Sequence, residues 1–74
     1  MKITVKLFAT LRNYYEKEFS LEVPDDATPG TVVKQLNLPD KDIAIIMING
    51  RGQKLDAPLS ESDVLALFPP VGGG

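Results

Sequence analysis

The chain has 74 residues, 43% of them hydrophobic, with 8 basic against 10 acidic side chains and a net charge of −2. That is one small domain, able to close a single core while burying roughly 60–65% of its unfolded surface. With neither Cys nor His, it has no disulfide, thiol nucleophile, imidazole base or ordinary zinc site, and no basic stripe marks a nucleic-acid binder.

Lys2 to Phe8 alternates, with Ile3, Val5 and Leu7 on one face and Lys2, Thr4, Lys6 and Phe8 on the other. A period of two predicts a strand with one buried face. No apolar leader precedes it, so no secretory signal is expected. Ala9 to Tyr15 suits a helical turn containing Leu11. Phe19, Leu21 and Val23 then alternate with Ser20 and Glu22, predicting a second strand antiparallel to the first, closed by Pro24-Asp25-Asp26.

Thr28-Pro29 is a helix start, an N-cap hydroxyl followed by proline at the first helical position. Val32, Val33 and Leu36 give a short helix over Pro29–Leu36 its apolar stripe. Gly30 and the β-branched Thr31, Val32 and Val33 have poor propensity, so packing must hold it. Leu38-Pro39-Asp40 should end it. Ile43 to Ile48, too short to span a bilayer, predicts a strand ending at the hairpin signal Asn49-Gly50. A return strand over Arg51–Leu55, weakened by Gly52, belongs at a sheet edge. Leu59 should tuck inward from its loop. Val64 to Phe68, apolar throughout, predicts a central last strand. A sheet with one helix across a single face is α+β.

Pro69 and Pro70 remove two backbone donors, so the last strand must lose its ladder after Phe68. Val71, Gly72, Gly73 and Gly74 follow, and Pro69 to Gly74 fully extended could reach ~20 Å. Glycine-rich ends are commonly frayed termini or cloning remnants. A remnant gives no reason for Phe-Pro-Pro-Val, however. A stiff base followed by a thread without side chains fits a narrow channel in another protein. The expected division is a domain over 1–68 and a flexible tail over 69–74.

Phe68-Pro69-Pro70-Val71 with Gly73-Gly74 resembles the tail of the ubiquitin-like sulfur carriers of MoaD/ThiS type, above all the small subunit of molybdopterin synthase. Val5 to Arg12, Ile48-Asn49-Gly50, Asp56 to Leu59 and Asp63 to Pro70 resemble that family too, so the likeness covers nearly the whole chain. The short helix and the Asn37-Leu38-Pro39 connection look more like the thiamine-pathway carrier. The resemblance implies a β-grasp fold, with the first and last strands parallel neighbours at the sheet centre.

It also implies a chemistry for Gly74. Coupling the terminal carboxylate to AMP supplies a leaving group, and a sulfur nucleophile then displaces AMP to leave a thiocarboxylate. An E1-like adenylating enzyme would spend the ATP, a sulfur donor would supply the atom, and the large synthase subunit would use it on a cyclic pterin phosphate. No intrinsic cofactor, metal, nucleic acid or membrane is implied, no catalytic side chain is evident, and the expected location is cytoplasmic. By register against the family, Phe8, Ile45, Met47, Ala66 and Phe68 share the sheet face away from the helix, and such a contiguous apolar group beside the tail reads as a partner-docking surface. Other readings are a thiamine-type carrier, against which Phe68-Pro69-Pro70 argues, a ubiquitin-like protein modifier, and a binding module with an incidental tail.

Among weaker patterns, Asp25-Asp26 and Asp40-Lys41-Asp42 read as solvated turns. Gly50-Arg51-Gly52 reads as a hairpin tip and Tyr14-Tyr15 as packing or surface residues.

Overall fold

The structure, a computed structural model, describes residues 1–70. The predicted tail residues Val71, Gly72, Gly73 and Gly74 lie outside the described residues. Five strands, β1 (Lys2–Leu7), β2 (Glu18–Glu22), β3 (Ile45–Ile48), β4 (Arg51–Gly52) and β5 (Val64–Phe68), form one sheet in the order β2-β1-β5-β3-β4. A single α-helix, α1 (Pro29–Gln35), covers one face, and 3₁₀ turns occupy Ala9–Asn13 and Asp40–Asp42.

The central pair β1 and β5 is parallel, with Val5 beside Leu65 and Leu7 beside Leu67, and every other pairing is antiparallel. Ile3, Val5 and Leu7 point to α1 and are buried, as are Leu65 and Leu67. Ile46 and Ile48 extend that layer, facing Val32, Val33 and Leu36 within one apolar cluster. Leu11 and Leu59 are buried from their loops, as the sequence predicts.

Thr28 caps α1 through a reciprocal box: its hydroxyl accepts from the Thr31 amide at 3.2 Å, and Thr31 Oγ1 accepts from the Thr28 amide at 3.2 Å. The helix ends one residue short of the expected Leu36, and Asn37 rather than Pro39 stops it. Asn37 takes a left-handed φ of 57°, its amide donates to Lys34 O and the Leu38 amide reaches back to Val33 O. This Schellman arrangement buries Leu38 against the core.

Three further expectations need correction. Leu21 is only half-buried, because it sits opposite Ile3 on the edge strand β2, where the helix covers less of it. The first 3₁₀ turn takes over at Ala9, so β1 stops at Leu7. The return strand is two residues, not Arg51–Leu55. After the Gln53 amide donates to Ile46 O, the chain turns toward the helix, where Leu55 O accepts from the Gly30 amide at 2.9 Å. Leu55 is thus drawn to an orphan donor of α1 instead of to the sheet.

Candidate functional site

Because β5 is central and apolar on both sides, its alternation divides five residues between two surfaces. Leu65 and Leu67 go under the helix, while Val64, Ala66 and Phe68 emerge on the opposite face. In register on β3, Ile45 lies across from Phe68 and Met47 across from Ala66. Beyond the end of β1, Phe8 completes the group: its ring stacks on that of Phe68 with centroids 4.2 Å apart and planes 10° from parallel. Phe8, Ile45, Met47, Ala66 and Phe68 therefore come together on one face, Ile45 exposed and the other four half-buried.

The backbone between β1 and the first 3₁₀ turn shapes the rim. The Phe8 amide donates to Leu67 O at 3.2 Å, the last rung before the chain leaves the sheet. Ala9 then adopts φ 53°, a left-handed conformation costly for a residue with a Cβ. The turn sends Leu11 into the core and brings Arg12 back over Phe8, with its guanidinium carbon 5.5 Å from the ring centroid. Arg12 Nε also donates to Leu7 O at 2.9 Å. Phe8, Ala9, Thr10, Ile45, Phe68, Pro69 and Pro70 line a cleft of about 340 Å³. A broader and more open groove runs along Ala44–Ile46, residues 52–54 and residues 56–58, with Lys54 and Asp56 in its walls.

None of the side chains lining the smaller cleft is an acid or a base, so it offers contact area and shape, not proton transfer. Its prolines, identified in the sequence only as the start of the tail, also form part of its wall. Ala9, Thr10 and Arg12 were not singled out as site residues, since only the corner geometry brings them to Phe8. An arginine a few residues past the end of a strand carries no pattern that would reveal this.

The remaining sequence candidates lie elsewhere. Asp25 Oδ1 accepts from the Met1 amine at 3.2 Å. Asp42 accepts from the Tyr14 hydroxyl at 3.2 Å, a hydrogen bond that pushes the Tyr14 phenol above its ordinary value. The Tyr15 hydroxyl donates to Leu36 O at 2.9 Å, and its ring packs near Phe19. Asn49 and Gly50 form the hairpin turn before Arg51, both at positive φ. Among the described residues no three His, Cys, Asp or Glu side chains converge as a metal site, and no helix is long and apolar enough to cross a membrane.

A mixed five-stranded sheet with a parallel central pair and one covering helix is the β-grasp, or ubiquitin-like, fold. Residues 5–74 match the ThiS family, and the chain belongs to it. SAMP1 of Haloferax volcanii, a small archaeal modifier protein, superimposes with a TM-score of 0.78 at 28% identity, covering 100% of both chains. Subunit 1 of a molybdopterin converting factor from Pyrococcus furiosus gives 0.79 at 27% identity over 95% of this chain and 98% of its own. A chain in the complex of subunits 1 and 2 of the Helicobacter pylori molybdopterin-converting factor gives 0.67 at 25% identity, over 100% of this chain and 100% of that one. No curated protein sequence matches. The chain is a ubiquitin-like protein of the ThiS/MoaD sulfur-carrier or modifier kind.

Proposed function

We propose that this chain carries sulfur as a thiocarboxylate on Gly74 and delivers it as the small subunit of a molybdopterin synthase. The observation that carries the reading is the stacked Phe8–Phe68 pair, an apolar anchor set where β5 passes into Pro69 and Pro70. A partner that grips this anchor holds the root of the tail while the glycines enter its active site. The Helicobacter pylori relative is described in complex with subunit 2 of its converting factor, which supports a large-subunit partner here.

Chemically, the Gly74 carboxylate attacks ATP on an adenylating enzyme, releasing pyrophosphate and forming an acyl adenylate. A sulfur nucleophile then attacks the acyl carbon, and AMP leaves. The carrier contributes the acyl group, its reach and a docking face. The activating enzyme contributes the catalytic groups.

A second reading, protein modification, is favoured by the full-length match to SAMP1. There a lysine amine would attack the same adenylate and form an isopeptide. Intact-mass measurement after incubation with the adenylating enzyme, ATP and a sulfur donor tests the proposal. A gain of ~16 Da, oxygen replaced by sulfur, is the expected result. Covalent transfer of the whole chain to protein lysines, without that gain, would replace it with the modifier reading.

A further inference from the structure

On the outer face the two halves of the sheet differ. Across β1 and β2, Lys2 stands opposite Glu22 and Lys6 opposite Glu18, so the cations of that half have acidic neighbours in register. The other half is apolar, and at its rim is Arg12, exposed and, like every Lys and Arg side chain among the described residues, without a carboxylate within ion-pair distance. Although exposed, this side chain is tethered. Its Nε donates to Leu7 O at 2.9 Å and its guanidinium carbon lies 5.5 Å from the centre of the Phe8 ring. Phe8 in turn is stacked on Phe68.

We propose that Arg12 is a preorganised receptor for a carboxylate on the protein that docks over Phe8 and Phe68, so that the partner presents an apolar socket with an acidic residue at its edge. With Nε engaged by Leu7 O, the Nη hydrogens are left to make paired hydrogen bonds to a carboxylate, a geometry that lysine cannot reproduce. Holding the guanidinium in place before binding reduces the ordering cost that a free arginine would carry. Ala9 contributes to this arrangement. Its left-handed φ of 53° turns the chain sharply enough for a residue only four past Phe8 to return over that ring. The role assigned to Arg12 is specificity and encounter: a rim charge acts mainly on association rate and salt dependence.

The inference rests on the docking reading above, and its test separates the two. Binding of the full chain to the large synthase subunit is measured by calorimetry and stopped flow at low and high salt for wild type, Arg12→Gln, Arg12→Lys and Phe68→Ala, with thermal melts as a fold control. Arg12→Gln should weaken binding about tenfold at low salt and flatten its salt dependence. Arg12→Lys should keep the salt dependence but recover only part of the affinity. If Phe68→Ala weakens binding while Arg12→Gln binds and responds to salt like wild type, the arginine proposal is overturned and the docking face stands. Full recovery by Arg12→Lys would overturn the paired-hydrogen-bond geometry. If neither Phe68→Ala nor Arg12→Gln changes binding, both the arginine role and the docking reading fall.

Discussion

Leu67 and Phe68 are adjacent in sequence and occupy opposite environments. Leu67 is wholly buried under α1, whereas Phe68 is half-buried on the outer face and stacked on Phe8. Truncating Leu67 opens a cavity in the middle of the sheet, so Leu67→Ala should destabilise the fold by ~2–5 kcal/mol. Phe68→Ala removes an aromatic pair worth ~0.5–1.5 kcal/mol and leaves the core layer intact. Its larger effect should be on binding, on the order of thirtyfold, as for an aromatic anchor in an interface pocket. Denaturant melts and titration calorimetry on the two variants give the comparison. A Phe68→Ala protein that binds normally yet unfolds as readily as Leu67→Ala would place Phe68 in the core and the docking elsewhere.

At the scale of elements, the hairpin between β3 and β4 is joined to the start of β5 by one side chain. Asn49 holds φ 53° in the turn, its Nδ2 donates to Asp63 Oδ1 at 2.8 Å, and its Oδ1 accepts from the Val64 amide at 2.9 Å. Asp63 Oδ2 meanwhile accepts from the Ser60 amide at 2.8 Å, so one carboxylate ties the turn to the loop before β5. Asn49→Ala loses both side-chain bonds and forces a Cβ into the left-handed region, and should cost ~2–4 kcal/mol. Asn49→Gly loses the same bonds without the strain, so its urea midpoint should indicate ~1 kcal/mol more stability than the alanine variant. Equal midpoints would show that the backbone conformation contributes nothing. The turn itself was legible as Asn49-Gly50, because few residue pairs accept two positive φ values. Its tie to Asp63 was not, since nothing local links residues 14 positions apart.

The same contrast runs through the other elements. Alternation in β1 and the Thr28-Pro29 start were readable because a period and a cap are local. The stop at Asn37, the two-residue β4 and the half-exposure of Leu21 depended on tertiary neighbours: a buried place for Leu38, an orphan amide at Gly30, an edge position for β2. For the site, apolar residues on both sides of β5 indicated an outer face. Only the parallel pairing of β1 with β5 brings Phe8 onto Phe68, and only the corner at Ala9 adds Arg12.

For the whole molecule, the proposed division of labour is between a rigid body that docks and a tail that reacts. Every buried apolar residue among those described lies between Ile3 and Leu67, and the apolar face includes Pro69 and Pro70. Removing Gly73 and Gly74 should therefore leave the thermal midpoint and the affinity for the large subunit close to wild type, while abolishing the ~16 Da mass gain. Gly73→Ala and Gly74→Ala are the gentler versions, because each adds one methyl to a backbone that, on the proposed reading, enters a channel sized for glycine. Adenylation should slow strongly for both, read as ATP-dependent pyrophosphate release, with unchanged melting. Docking and chemistry separate in this comparison: Phe68→Ala should lose partner affinity while keeping a chemically intact tail, and the truncation should do the reverse. Adenylation of the alanine variants at the wild-type rate would remove the main support for a carrier. A truncated chain that retained full biological function would identify a binding module whose tail is incidental.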